Sequence, residues 1–157
     1  MSTEFETIGQ RNSPPGWLAA LACIVALAGL TDAIYLTVHY YTAEPVPCSV
    51  TGGCETVLSS SYSELFGIPI AAFGAAAYFV AFCLALLAAF GNRSMWRLYG
   101  VHTLIMALVS GWLIYVQAAI IGAFCQYCLL SAGTTAALFA IFLVSLLLNG
   151  RSQAALD

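Results

Sequence analysis

Apolar residues run almost unbroken through four stretches, Trp17 to Tyr41, Ile68 to Phe90, Leu98 to Ile121 and Cys128 to Leu148. Each reaches the length of about 20 residues that an α-helix needs to cross the hydrocarbon core of a bilayer. The breaks between them carry turn chemistry: Pro45 and Pro47, then Gly91-Asn92, then Gly122, and finally Asn149-Gly150. A helical period reappears inside the long loop Thr42 to Gly67, where Val57, Leu58, Tyr62, Leu65 and Phe66 fall on one face of a segment from Glu55 to Phe66. Gly67 and Pro69 close it. The pattern predicts an all-α membrane protein, a four-transmembrane-helix bundle whose outer loop carries a short amphipathic helix as a lid.

Composition agrees and removes other classes. Hydrophobic residues make up 62% of the 157, charged residues 7%, and the mean hydropathy is +0.94. A soluble domain carries roughly 25% charged residues, so this chain cannot furnish a solvated surface. A net charge of −3, with four basic residues that are all Arg, leaves nothing to neutralise a phosphate backbone. The segment Met1 to Gly16 has no basic run, and the first span is too long for a signal-peptide core. It is expected to stay as an anchor, which gives an N-terminal segment 1–16, a transmembrane domain 17–148 with the outer loop 42–67, and a tail 149–157.

The Arg residues orient the bundle. Arg11 precedes the first span, Arg93 and Arg97 separate the second and third, and Arg151 follows the fourth, so all four fall on one side. The positive-inside rule makes that side, with both termini, cytoplasmic and predicts a plasma (inner) membrane protein. The loop 42–67 and the turn before the last span then face outward.

Four of the six cysteines gather on that outward side: Cys48 and Cys54 in the long loop, and Cys125 and Cys128 in a C-x-x-C that opens the last span. The outside of a bacterial membrane is where disulfides are made and kept. Unpaired N–H groups and the dipole at a helix N-terminus favour a thiolate, most of all at Cys125. Cys128 lies on the same face about 4.5 Å deeper. A pair of inert disulfides bracing the loops and a structural zinc site are the alternatives, although the C-x5-C spacing of Cys48 and Cys54 is wider than the usual zinc pair. Haem attachment needs a His after Cys128, where Leu129 stands. Cys23 and Cys83 sit in apolar span interiors and read as small hydrophobes. Asp32, in the outer part of the first span, reads as a hydrogen-bonded structural carboxyl, with a functional role, suggested by its position, as the alternative. His102 reads as an interfacial anchor near the inner end of the third span, and Trp17, Tyr40, Tyr41, Trp96 and Tyr99 as an interfacial belt.

Taken together, Cys48-x5-Cys54-x5-Ser60, Phe66-Gly67-Ile68-Pro69, Gly74-x3-Tyr78 and Cys125-x-x-Cys128 resemble the vitamin K epoxide reductase family in its bacterial form, over roughly Asp32 to Ser131. Disulfide-bond formation protein B runs the same chemistry with the cysteine pairs in the reverse order. The resemblance implies that Cys48 is the exposed shuttle thiol, that Cys54 passes the disulfide to Cys125, and that Cys128 faces a quinone. Ser60 matches the family's loop serine. Bacterial members commonly continue into a thioredoxin-like domain; about nine residues follow the last span here, so a thioredoxin-like or DsbA-like dithiol partner is expected in trans. Animal members carry a Tyr one turn after the last Cys, where this chain has Ala132, which favours plain quinone reduction over epoxide reduction.

The expected activity is therefore that of a thiol oxidase that takes electrons from an extracytoplasmic dithiol carrier and passes two of them to a membrane quinone, of the ubiquinone, menaquinone or vitamin K type, without a metal. A strongly oxidising carrier, poised near about −120 mV, cannot be recharged by a glutathione-like pool, whereas a quinone can do so from within the bilayer. The quinone pocket is expected in the outer half of the bundle near Ser60, Phe66, Ile70, Phe73 and Tyr115. A vitamin K quinone or epoxide reductase, and a non-enzymatic four-helix protein with structural disulfides, are the rival readings.

Overall fold

The computed structural model describes residues 15–154, with side chains to Asn149; the segment carrying Arg11 and the side chain of Arg151 lie outside the described residues. Four long helices form the body: α1 (Gly16–Thr42), α3 (Ile70–Ala89), α4 (Arg93–Tyr115, continued by a π-helical segment Val116–Ile121) and α5 (Gln126–Ala154). Between α1 and α3 lie a short helix α2 (Cys54–Leu58) and two strands, β1 (Glu64–Leu65) and β2 (Ile68–Pro69). All four long helices are long and apolar enough to cross a membrane. They form a closed ring in which α1 packs on α3, α3 on α4, α4 on α5 and α5 back on α1.

Small residues let the first pair approach closely. Ala19, Ala22, Ala26, Gly29 and Ala33 recur every three or four positions and are buried against Tyr78, Ala81, Ala85 and Ala88 of α3. Helices in lipid associate through such close packing, because apolar area alone gives no advantage over contact with acyl chains. Gly29 shows the constraint: a Cβ there would sit 2.3 Å from the Tyr78 ring. Large side chains such as Ile24, Phe79, Leu108 and Leu147 point outward to the lipid.

Two elements differ from the sequence expectation. The lid helix stops at Leu58 instead of running to Phe66, because the serines that follow turn their hydroxyls on the backbone. Ser59 Oγ donates to the Glu55 carbonyl at 2.7 Å, Ser60 Oγ to Val57 at 2.6 Å and Ser63 Oγ to Ser60 at 2.8 Å. Such bonds compete with helix continuation. The remainder is a tight hairpin pairing Leu65 with Ile68 across Phe66-Gly67, whose φ values of 55° and 78° match a type I′ turn. The second difference concerns Trp96 and Tyr99, which are core residues and not a belt. The Asn92 side chain caps α4 at Met95 N–H, so the helix begins at Arg93 and carries both rings inside it. They stack at 4.6 Å, Trp96 Nε1–H donates to Ser145 Oγ and Tyr99 O–H to the Leu138 carbonyl.

Candidate active site

The loop Thr42 to Gly67 folds over one end of the ring, where α1 ends and α5 begins. Cys48 and Cys54 are joined in a disulfide with their Cα atoms 5.9 Å apart, while Cys125 and Cys128 are free thiols. Cys54 and Cys125 are both fully buried in one apolar cluster with Val57, and Cys48, Tyr127 and Cys128 pack on it. All four sulfurs thus share a single site, although the two pairs are some seventy positions apart in the chain. The residues inside the C-x-x-C clamp the loop in place. Gln126 Oε1 accepts from Val50 N–H at 3.0 Å, Gln126 Nε2 donates to the Pro47 carbonyl at 3.3 Å, and Tyr127 O–H donates to that carbonyl at 3.1 Å. Gly53 lets the loop lie directly on the segment before α5, since a Cβ would meet the Phe124 carbonyl at 2.8 Å.

Cys125 occupies the N-cap position of α5, and its sulfur accepts the Cys128 N–H at 3.4 Å. Its thiol is lowered to about 7, chiefly by the Cys128 thiol beside it and further by the backbone N–H groups of Cys128 and Tyr127, with burial opposing. The backbone N–H of Cys125 donates to Gln117 Oε1 at 2.9 Å. Gln117 is buried in the π-helical segment, and its carbonyl also accepts from Gly122 and Ala123. One glutamine therefore fixes the whole connection into the C-x-x-C. Irregular π turns are frequent at functional sites.

Cys128 opens onto a cavity of about 600 Å³ enclosed by the four long helices and the loop. That volume falls within the roughly 300–1,000 Å³ usual for small-molecule sites. The lining is apolar for the most part, with Leu36, Phe73, Ile105 and Met106 among its members. Its polar groups include Tyr78, whose hydroxyl bonds to the Ser131 carbonyl at 2.7 Å and to Thr135 Oγ1 at 2.8 Å.

The sequence profile described as the vitamin K epoxide reductase family matches residues 20–143, a stretch that contains the ring, the loop and all four site cysteines. The chain belongs to that family. Over 120 residues it is also 32% identical to the thiol-disulfide oxidoreductase LTO1 of Arabidopsis thaliana, covering 70% of this chain and 32% of that protein. The chain thus spans about a third of that relative's length. Family membership accords with the four helices long and apolar enough to cross a membrane.

Within this family member the remaining candidates divide by position. Ser60, Ile70 and Phe73 line the cavity. Phe66 and Tyr115 lie off it: Phe66 is 94% exposed at the hairpin tip, and Tyr115 stands on the outward face of α4 against Trp112. Ala132 contributes only a methyl group to the wall. Asp32 lines the cavity, and its Oδ2 is buried with no hydrogen-bond partner among the described residues, which departs from the hydrogen-bonded carboxyl expected from sequence. His102 is no interfacial anchor either. Starting α4 at Arg93 carries it nine residues into the helix, where it lines the cavity and donates from Nε2 to the Ala77 carbonyl at 2.9 Å. With Cys48 and Cys54 disulfide-bonded, the four sulfurs do not form a zinc tetrad. Gln117, Gln126 and Tyr127 escaped the sequence reading, although a lone amide in a long apolar span is itself a signal.

Proposed function

We propose that this protein is a quinone-linked thiol oxidase, with Cys48, Cys54, Cys125 and Cys128 as its redox-active residues. The observation that carries the reading is the arrangement of one disulfide and one free dithiol in a single buried cluster, with Cys128 at the wall of an apolar cavity. A brace needs no free pair beside it, and it needs no cavity.

A partner dithiol of thioredoxin-like or DsbA-like type attacks the Cys48 sulfur, breaks the Cys48–Cys54 bond and leaves as a disulfide, so that both loop thiols are reduced. With Cys125 and Cys128 joined in a disulfide by the preceding turnover, exchange within the cluster re-forms the Cys48–Cys54 bond and leaves Cys125 and Cys128 as the free dithiol seen in the structure. Re-forming the bond between those two sulfurs delivers two electrons to a quinone in the cavity, and its two oxygens take up two protons. Ser60, Ile70 and Phe73 are the wall residues nearest this role among those anticipated from sequence, and no metal takes part. The lack of a hydroxyl at Ala132 supports quinone over epoxide as the acceptor.

The cysteine-bearing end faces the extracytoplasmic side of the plasma membrane, a reading supported by Arg93 and Arg97 at the opposite end and by the lack of Lys or Arg in residues 42–69 and 122–128. Purified protein supplied with a reduced thioredoxin-like donor and a short-chain ubiquinone or menaquinone should bleach the quinone absorbance catalytically. No bleaching with either quinone, by protein whose Cys48–Cys54 bond the donor demonstrably reduces, would refute the proposal.

A further inference from the structure

The thiol chemistry accounts for the electrons and leaves a proton unassigned. A quinone needs two protons to become a quinol, and Cys125, when it reacts as the thiolate, brings none. Cys128 can supply one. Asp32 stands where the other is needed: it lines the same cavity as Cys128, ten residues before the end of α1, or about 15 Å along the helix from that end. Its Oδ2 is buried without a hydrogen-bond partner among the described residues. Among the described residues no Arg or Lys lines the cavity to balance a carboxylate. An ionised Asp32 would also act electrostatically against both Cys125 and Cys128. An unpaired carboxylate in such surroundings is strongly disfavoured, so this position suits a carboxyl that carries a proton until the reaction takes it.

Other titratable groups share the space without filling that role. His39, Tyr40 and Glu44 from the end of α1, with Glu55 and Tyr62 from the loop, lie toward the mouth. At depth, Tyr78 is engaged with Ser131 and Thr135, and His102 donates to the Ala77 carbonyl.

We infer that Asp32 is the second proton donor in quinone reduction, an inference that rests on the quinone-oxidase reading above. In the step, the Cys125–Cys128 bond forms and its electron pair passes to the quinone. The Cys128 S–H proton goes to one quinone oxygen and the Asp32 carboxyl proton to the other. Asp32 is left as a carboxylate, to be reprotonated through the polar groups at the mouth before the next turnover.

The test uses full-length protein, reduced beforehand, in single-turnover reduction of a short-chain ubiquinone across a range of pH. Asp32→Asn should slow the step by about 100-fold or more, the usual range for loss of a general acid. Disulfide exchange with dithiothreitol should stay within about twofold of wild type, since it needs no proton from Asp32. Asp32→Glu should recover part of the rate, and added acetic acid should accelerate Asp32→Ala. An Asn variant matching wild type at every pH overturns the inference, as does a slow variant that neither Glu nor acetic acid rescues. If wild type itself reduces no quinone, the underlying reading has failed instead. A second measurement needs no variant at position 32: the chain has only two Asp residues, Asp32 and Asp157. Carboxyl-labelled aspartate should give one protonated carboxylic acid band in the infrared spectrum of the reduced protein at neutral pH, retained in Asp157→Asn. Two carboxylate bands would overturn the inference.

Discussion

The acidity of Cys125 offers a sharp test, because its main cause is a single side chain. The thiol is lowered from 9.0 to about 7 with the Cys128 thiol as the largest contribution. At pH 7 that makes about half of the Cys125 population thiolate, against about 1% for an unshifted group, a gain of about 50-fold in the reactive form. Cys128→Ala removes the neighbouring thiol and keeps the backbone N–H groups, so the midpoint should rise and the thiolate fraction at pH 7 should fall. The sign follows from the direction of the shift: the thiolate is favoured in the folded protein, so reactivity rises as pH climbs through 7 in wild type and only at higher pH in the variant. Thiolate ultraviolet absorbance of the reduced protein in detergent, with Cys23 and Cys83 replaced by Ala, would give both midpoints. A wild-type midpoint near 9, or a midpoint that does not move in Cys128→Ala, would show that the helix N-terminus and its partner thiol do not activate Cys125.

Four further outcomes are expected. Cys125→Ala and Cys128→Ala should each abolish quinone reduction from any donor, while Cys23→Ala and Cys83→Ala should leave turnover nearly intact, as measured by quinone bleaching. Cys48→Ala and Cys54→Ala should lose activity with a protein donor and keep a substantial part with dithiothreitol, since a small dithiol can reach the C-x-x-C directly. Gln117→Leu should destabilise the reduced protein by roughly 1–3 kcal/mol, because the buried Cys125 N–H loses its acceptor; thermal unfolding in detergent measures it. Gly29→Leu should lower stability by about 1–3 kcal/mol or more by forcing the Tyr78 ring off α1, whereas Gly111→Leu, with open space around it, should change little.

The spans were legible because bilayer thickness imposes a length on apolar runs that no other constraint mimics, and the cysteine pairs because their spacing is chemically specific. The lid was misread at its C-terminal half for a local reason. Apolar periodicity from Val57 to Phe66 suits a helix, but it is silent about three serine hydroxyls that compete for carbonyls and about a Phe66-Gly67 turn that reverses the chain. Trp96 and Tyr99 read as a belt in sequence because sequence places a ring near a span end without saying which way it faces. The cavity wall was legible only in part: Ile70 and Phe73 line the cavity whereas Tyr115 stands on the outward face of α4, and an apolar run shows neither which way a ring faces nor the π turn that follows Tyr115. Gln117 owes its role to that same turn. Asp32 was visible as an ionisable group in a span, but only packing reveals that its Oδ2 has no partner.

The central claim is that the loop disulfide and the helix dithiol exchange with one another, and its most direct test is the disulfide map of Cys48→Ala. Cys54 and Cys125 are both fully buried in the same cluster, and the variant deprives Cys54 of its other partner. Isolated under oxidising conditions and digested after thiol blocking, that variant should yield a cross-linked peptide joining Cys54 to Cys125. Recovery of Cys54 only as a blocked free thiol, with Cys125 bonded solely to Cys128, would contradict the relay.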